Sequence, residues 1–425
     1  MSEILRIQGG SSLNGEVKVS GSKNASLPIL AATILCEGTC SLHNIPDLSD
    51  VQTMIALLRH LGSDVSFSDN KVLARVRDNE QVEPFSGLVS QMRASICLLG
   101  PLLAKRKSAQ IAFPGGCVIG DRPIDLHLKG LKALGAKVDI YKGYLSVKCD
   151  ILKGVYVDLK GPFGSSVLAT ANILMAATMA KGETIISSAA CEPEIVDLCH
   201  FLNRMGANIS GIGKSVLKIE GVESLEGKTY EVIPDRIEAG TFLLAGIVTQ
   251  GNIRVSKVNP SHMKAVISLL QKLGQKVYVK SDEIEVQGKF PILPTACEML
   301  PYPAFPTDLQ PQLMLALCLS KGISIIEEKV YPERFSHVAE LQKFGGDIYR
   351  KNAKCFIRGK KTLQGAEVQA SDLRAGAALI LGGLVAEKET FVSSMQHVYR
   401  GYEKIENKLR KLGACVESLP ETVAV

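Results

Sequence analysis

LHLKGLKALGAKV, residues 126–138, is the stretch whose reading decides the fold of this 425-residue chain. Its apolar residues recur with a period near 3.6, as on one face of a helix, and Leu134-Gly135 then gives way to a strand-like run. Glycine suits the left-handed position just past a helix end, so Gly135 marks a stop. The same helix, glycine and strand occur five more times, as MIALLRHLGSDV (54–65), LCHFLNRMGANI (198–209), VISLLQKLGQKV (266–277), VAELQKFGGDI (338–348) and IENKLRKLGACV (405–416). The glycines Gly62, Gly135, Gly206, Gly274, Gly345 and Gly413 are separated by 73, 71, 68, 71 and 68 residues. The chain is therefore a sixfold repeat.

A more apolar segment precedes each of these helices: SLPILAATIL, ASICLLGPLLA, SVLATANILMAATMA, GTFLLAGIV, QLMLALCLS and GAALILGGLVA. Most are apolar on every face, which predicts a helix buried inside its repeat. Strand-like runs such as GETIISSA follow them. The repeat reads as strand, apolar helix, strand, amphipathic helix, strands. At about 70 residues it exceeds the usual solenoid period, so closed packing of a few units is expected, in two domains of three.

Composition narrows the function. The apolar fraction is 46% and the charged fraction 22%, which excludes a disordered chain. A net charge of +6 suits small anionic ligands and is too weak to imply nucleic acid. Aromatics make up 5%, Trp is absent and the basic residues are spread along the chain, which gives no stacking platform for bases. Eleven Cys without a C-x-x-C pair argue against structural zinc and for a reducing compartment. No secretory signal is visible, and the apolar runs fall short of the roughly 18 residues that a spanning helix needs. A cytoplasmic location without membrane association is expected.

A charged residue stands ahead of each apolar helix: Lys23, Arg93, Lys160, Arg236, Asp308 and Arg374. Capping accounts for the neighbouring carboxylates and hydroxyls. Asp235 with Glu238 fits a capping box, and Ser371/Asp372 and Thr307/Asp308 are good N-caps. Capping does not account for the cations, which oppose the positive helix end unless an anion lies beside them. The loops before the amphipathic helices carry Cys117 and Arg122, CEPE (191–194), YPERF (331–335) and QHVYRGYE (396–403). If the repeats superpose, Lys23, Arg93, Arg122, Lys160, Arg236, Arg334, Arg374 and Arg400 converge with Asp308 on a compact polyanion, for which Arg supplies bidentate contacts.

Cys117 lies in FPGGCVIGDRP (113–123), after two glycines and five residues before Arg122. A thiol near Arg and helix N-termini is expected to be acidic and reactive. The other ten Cys are expected to be small buried hydrophobes. GIGKS (211–215) lacks the earlier glycine of a phosphate-binding loop and runs into a strand, so it reads as a hairpin turn. His127 and His397 fall in the loop regions, as packed or orienting residues.

Taken together, GSKNASLPIL, PGGCVIGDRPIDLH, AACEPEIVDL, IPDRIEAGTF, YPAFPTDLQPQ, DLRAGA and RGYEKIENKLRKLGA resemble the UDP-N-acetylglucosamine 1-carboxyvinyltransferases, or enolpyruvyl transferases, over essentially the whole chain. The resemblance implies a two-domain inside-out α/β barrel. One domain would hold residues 1–22 and 234–425, the other residues 23–233 with the Cys117 loop, and the active site would lie in the cleft between them. It implies transfer of the enolpyruvyl group of phosphoenolpyruvate to the 3′-hydroxyl of UDP-N-acetylglucosamine with release of phosphate, the first committed step of peptidoglycan precursor synthesis. No cofactor and no metal are implied. Cys117 is then the acid that protonates C3, or a covalent carrier of the pyruvyl group, and Asp308 the base. Lys23, Asn24, Arg122, Arg334, Arg374 and Arg400 would hold phosphoenolpyruvate, with Lys23 and Arg400 among the catalytic set. Arg93, Arg122, Pro123, Ile124, Asp125, Leu126, Lys160, Gly161, Pro162, Phe163, Gly164, Asp308 and Val330 match the nucleotide-sugar positions. Pro162-Phe163-Gly164 stands where relatives carry a Ser-Val-Gly-like run, and Pro162 donates no hydrogen bond. Cys191 stands where relatives carry Arg. The related enolpyruvylshikimate-phosphate synthases share fold and donor, but the PGGC loop and RPIDL stretch match the nucleotide-sugar branch.

Overall fold

The computed structural model describes residues 3–420 apart from 78–79, 114 and 116–122. All six repeat glycines take the backbone that the sequence calls for, with φ between +82° and +112°. Each glycine N–H reaches the carbonyl three residues back, on Arg59, Lys132, Asn203, Gln271, Gln342 and Arg410. In five repeats the next N–H reaches back five residues, for example Ala136 to Leu131 and Ala414 to Leu409. That pair of bonds satisfies the carbonyls left over at a helix end and turns the chain into the following strand.

Six apolar helices follow the six predicted stretches. They are α1 (Lys23–Ala32), α2 (Leu99–Arg106), α3 (Val167–Ala177), α4 (Arg236–Val248), α5 (Gln310–Leu317) and α6 (Leu373–Val385). Every residue of 237–248 and of 373–384 is buried. A helix with no polar face has no stable place at a surface, so sheets and outer helices enclose it.

The chain divides into two compact units, with crossings at Ser20–Gly21 and Ile233–Pro234. The unit of residues 21–233 has its own core, running from Ala25 to Val232. Its first sheet centres on Thr39–His43, parallel to Thr229–Glu231 and antiparallel to Lys71–Val76, which pairs with Ser63–Ser68. The third repeats this order with Tyr156–Asp158, Glu183–Ser187, Val216–Glu220 and Asn208–Ser210. Among the described residues the second has Ser108–Ala112, Tyr144–Lys148 and Lys137–Tyr141, without the parallel edge strand. Within this unit Asn172 of α3 donates to the Ile96 carbonyl at 2.7 Å, accepts from Gly100 N–H at 2.8 Å and contacts His127 Nδ1 at 2.8 Å. His127 is thus a buried, packed residue.

The other unit, with residues up to 20 and from 234 on, has a separate core from Leu5 to Val416. Its three sheets keep the same order, but the N-terminal segment completes two of them. Asn14–Lys18 is the parallel edge of the sheet around Asn252–Ser256. Glu3–Gln8 is inserted between Glu389–Ser393 and Cys415–Pro420. The middle sheet is built from Ala296–Met299, Ile323–Glu328, Lys354–Arg358 and Asp347–Lys351. Among the described residues no helix is long and apolar enough to cross a membrane.

Residues 211–215 link two antiparallel strands, so GIGKS is a hairpin turn. The expectation for the cysteines needs correction. Cys36, Cys40, Cys97, Cys199, Cys318 and Cys355 are buried, but Cys149, Cys191 and Cys297 are half-buried and Cys415 is exposed. Cys415 is on a strand face turned to solvent, which the repeat pattern alone did not reveal.

Candidate active site

In the unit that contains α4, α5 and α6, two buried cations meet one carboxylate. Asp308 lies in the turn Thr307–Leu309 that leads into α5. Its Oδ1 accepts from Arg334 Nη1 at 2.9 Å and its Oδ2 from Arg374 Nη2 at 3.0 Å. Arg334 and Arg374 side chains are 2% and 1% exposed, and that of Asp308 is 26% exposed. The guanidinium groups are therefore sealed while the carboxylate can be reached from solvent. Burial is the largest single influence on Arg374 and works against its charge, but Asp308, Tyr402 and Asp235 together outweigh it, and the net shift strengthens the cation. Arg334 is raised in the same way by Asp308 and Asp372 against its burial.

The helix heads explain how these side chains are placed. Asp372 caps α6, its Oδ1 accepting from Arg374 N–H at 2.8 Å and Ala375 N–H at 3.2 Å. The helix end is thus neutralised by a carboxylate, and the Arg374 side chain is free to turn inward beneath the Tyr402 ring, 5.4 Å from its centroid. Tyr402 is fixed by Gln312 and Thr241, each about a hydrogen bond away from its hydroxyl at 3.0 Å. Gly401 leaves room for this: a Cβ there would lie 3.6 Å from Arg374 Nη1 and 2.3 Å from Leu373. Arg400, the residue before it, closes the turn Met395–Arg400. Arg236 begins α4 behind the Asp235 cap and lies 5.6 Å over the Tyr302 ring.

Two capping expectations change. Asp308 caps no helix: Pro306 occupies the cap position, and the carboxylate is taken by the two Arg. Glu238 does not close a box with Asp235. It accepts the Ser20 N–H at 2.7 Å and pairs with Lys408, while Asp235 N–H bonds the Ser20 carbonyl.

Donors exceed acceptors around Asp308. Nε and Nη1 of Arg374 and Nε of Arg334 are buried without a hydrogen-bond partner. A buried polar group left unmade costs roughly 1–3 kcal/mol, so a site that keeps three such donors is preset for an anion. The site can hold an anion and take a proton.

In the unit that contains α1, α2 and α3, Lys23 begins α1 behind the Ser22 cap and pairs with Asp50 at 2.7 Å, both buried. Asn24 follows it on the helix. Arg93 begins the short helix Arg93–Leu98 ahead of α2. Lys160 is not at a helix head: Ser166 caps α3, and exposed Lys160 lies six residues earlier, its N–H bonded to Asp158 at 3.1 Å. Ile124 caps the helix Asp125–Ala133, and Asp125 and Leu126 lie in its first turn. Gly161 and Gly164 bond one another at 2.9 and 3.3 Å, with Pro162 and exposed Phe163 at the tip. This tight turn rests on Leu126, since a Cβ on Gly161 would meet Leu126 Cδ1 at 3.0 Å. Pro123–Leu126 and Gly161–Gly164 are thus one surface. Half-buried Cys191 has its thiol raised by burial, and then by Glu192. Cys117 and Arg122 lie outside the described residues.

Of the eight expected cations, Arg334 and Arg374 share a partner in one unit. Lys23, Arg93 and Lys160 occupy the other unit. Val330, in the first unit, gives its N–H to Glu328 at 2.8 Å. Sequence reading missed Glu328, Tyr402 and Asp50, and took Thr307 only as a cap, whereas its hydroxyl links Arg334 to Glu328. The repeat offers one signal for Asp50: it opens an amphipathic helix yet falls on the buried side. Glu328 has a comparable signal, as a carboxylate ending a strongly apolar strand. No group of His, Cys, Asp and Glu that could hold a metal occurs among the described residues.

The model for the EPSP synthase (3-phosphoshikimate 1-carboxyvinyltransferase) family matches residues 7–409. A UDP-N-acetylglucosamine 1-carboxyvinyltransferase of Methylacidiphilum infernorum is 46% identical over 96% of this chain and 97% of its own length. A second, from Carboxydothermus hydrogenoformans, is 47% identical over 98% and 99%. Among solved structures, the enolpyruvyl transferase NikO of Streptomyces tendae superposes with a TM-score of 0.90 at 24% identity, covering 99% of this chain and all of its own. An EPSP synthase of Acinetobacter baumannii gives 0.75 at 18% identity, over 99% and 100%.

Proposed function

We infer the reaction from kinship and site together: the chain belongs to the UDP-N-acetylglucosamine 1-carboxyvinyltransferases, within the EPSP synthase family. It transfers the enolpyruvyl group of phosphoenolpyruvate to the 3′-hydroxyl of UDP-N-acetylglucosamine and releases phosphate, in the synthesis of peptidoglycan precursors. The single observation that carries this reading is the sealed Arg334–Asp308–Arg374 cluster with its surplus of donors.

The residues divide the work as follows. Addition places a proton on C3 and the sugar oxygen on C2 of phosphoenolpyruvate, giving a tetrahedral ketal. Elimination removes a proton from C3 and phosphate from C2. Asp308, reachable and held between two cations, accepts the hydroxyl proton. Arg374 and Arg334 take the carboxylate of the donor and the charge of the intermediate. They are already in place, so little reorganisation is needed as charge develops. Lys23, Asn24, Arg122 and Arg400 hold the phosphate, and Cys117 is the acid at C3 or a covalent carrier. Arg93, Pro123–Leu126, Lys160–Gly164 and Val330 hold the nucleotide sugar. Pro162 leaves Gly164 and Lys160 as the donors available to a diphosphate there. Residues 23–233 form one domain in this reading, and residues 1–22 with 234–425 the other.

Phosphate release from phosphoenolpyruvate is the test, with UDP-N-acetylglucosamine and shikimate 3-phosphate offered separately. Release with the UDP-sugar alone is expected. Release with shikimate 3-phosphate alone assigns the chain to the other branch, and release with neither refutes the reaction.

A further inference from the structure

Glu328 is fully buried at the end of the strand Ile323–Glu328, beside the cluster. Its Oε1 accepts two backbone N–H groups, from Val330 at 2.8 Å and Tyr331 at 3.0 Å. Its Oε2 accepts the hydroxyl of Thr307 at 2.8 Å. The Thr307 oxygen in turn accepts from Arg334 Nη1 at 3.0 Å, the same nitrogen that donates to Asp308. The loop that leaves Glu328 returns to Arg334 through a turn in which Arg334 N–H bonds the Tyr331 carbonyl at 2.9 Å.

The polarity of this chain of bonds is forced. Arg334 has no acceptor, so Thr307 must receive from it. Thr307 has one hydrogen, which must then go to Glu328, and an ionised carboxylate accepts from all three of its donors with no proton of its own left to place. Burial raises the Glu328 carboxyl, while bonds from Tyr331, Thr307 and Val330 and the nearby Arg334 oppose that rise. A buried carboxylate wired in this way is costly unless it organises something.

We propose that Glu328 is the positioning residue of this site, fixing the Arg334 guanidinium through the Thr307 hydroxyl and its loop through the Val330 and Tyr331 backbone. This rests on the reaction proposed above. It assigns Glu328 to the phosphoenolpyruvate half of the site, because one of its oxygens sets the direction of the relay to Arg334.

Glu328→Gln tests it with almost no change of volume. The amide oxygen can keep the two backbone bonds, but its NH2 then faces Thr307, which already receives from Arg334. Thr307→Val removes the hydroxyl, and Thr307→Ser restores it. Hydrogen bonds to charged groups imply a loss of about 10-fold or more in kcat/KM for Glu328→Gln and Thr307→Val. The loss should appear as a raised KM for phosphoenolpyruvate, with the KM for UDP-N-acetylglucosamine within about twofold of wild type and Thr307→Ser rescued. Both changes cut one relay, so the double variant should be no worse than the poorer single one. Multiplying losses in the double variant, equal rises in both KM values, or a Thr307→Val enzyme as active as wild type would each overturn the proposal. Melting temperatures identify any variant that fails to fold, and Thr307→Val, at a partly exposed turn, is the arm that then decides. A wild-type chain that releases no phosphate sinks the reaction itself. The relay is then read from the phosphoenolpyruvate-induced rise in melting temperature, which must be smaller in Thr307→Val than in wild type and Thr307→Ser; an equal rise in all three overturns it.

Discussion

Replacing Arg374 by Met should separate stability from activity in this protein. Removing one partner of a buried ion pair ordinarily costs about 3–5 kcal/mol, because the other charge is stranded. Here it is not stranded: Asp308 keeps Arg334 at 2.9 Å, and the carboxylate itself is 26% exposed. The change removes one charge-assisted bond at 3.0 Å, worth about 1.5–3 kcal/mol, and a cation–ring contact of about 0.5–2 kcal/mol. It also removes two buried donors without partners, Nε and Nη1, each costing about 1–3 kcal/mol in the folded state. Losses and gains are of the same size, so the net change in stability should lie within about 2 kcal/mol of zero. For a unit of this size that is a shift of less than about 8 °C in melting temperature.

Activity should respond quite differently. A preorganised donor aimed at developing charge is worth a factor of about 100–1,000, so phosphate release should fall at least that far. Ligand linkage adds an independent readout. At 100 times the dissociation constant, phosphoenolpyruvate should stabilise the wild type by about 2.7 kcal/mol and the variant by much less at the same concentration. Scanning calorimetry with and without the ligand, beside a phosphate-release assay, gives all three quantities. A melting temperature lower by well over 10 °C, or activity within tenfold of wild type, would refute the reasoning that Arg374 is surplus charge kept for an anion.

Other expectations concern residues outside this cluster, the first resting on the family resemblance. Cys117→Ser should abolish turnover and alkylation by an epoxide, with binding of the UDP-sugar nearly intact in calorimetry; unchanged labelling removes the thiol from the mechanism. Gly206→Ala places a side chain at φ +112° and should cost about 1–2 kcal/mol in urea unfolding, although open space surrounds the position. Asp197 should give a pH signature: burial pushes its carboxyl up to about 6, although Tyr230 and Ile233 bond to it. The folded chain then holds a proton that an unfolded carboxylate of pKa about 3.9 has lost, so stability should fall by up to about 3 kcal/mol as pH rises from about 4 to about 6. Asp197→Asn should flatten that slope in urea titrations at a series of pH values; an unchanged slope disproves the assignment.

The fold was legible because its signals are local. A glycine at the end of an amphipathic helix states its own backbone, and six of them about 70 residues apart state the architecture. Apolar helices without a polar face state their burial. The exceptions were local too: among the described residues the sheet around Tyr144–Lys148 lacks its parallel edge, and no residue pattern announced that. Lys160 was aligned with the other heads by its place in the repeat, but the Gly161–Gly164 turn and the Ser166 cap stand between it and α3. Partnerships were harder to see. Asp308 is 26 residues from Arg334 and 66 from Arg374, and only the closing of the repeats brings them together. Asp308 read as a cap because Thr-Asp before a helix usually is one. Pro306 had taken that place, and the buried cations claimed the carboxylate.

The cations at the helix heads required an anion, and the structure supplies part of it from the protein. Lys23 is balanced by Asp50, one charge against one, at 2.7 Å with both side chains buried. The heads of α4 and α6 are balanced against their own dipoles by Asp235 and Asp372. If every helix-head cation were so matched, the case for a bound polyanion would weaken, because structural pairing alone would explain the pattern. At Arg334 and Arg374 the pairing leaves donors over. Arg334 and Arg374 are both sealed from water, share the single carboxylate of Asp308 and retain three donors without acceptors. Asp372 and Glu328 add to the field at Arg334 and Asp235 to that at Arg374, yet none of them meets the leftover nitrogens, and a buried donor without an acceptor is unfavourable in a chain selected for stability alone. Under the proposed reaction a second carboxylate arrives with the substrate and completes the set, so the surplus of donors beside Asp308 argues for seating the donor's carboxylate there more sharply than the count of cations along the chain could.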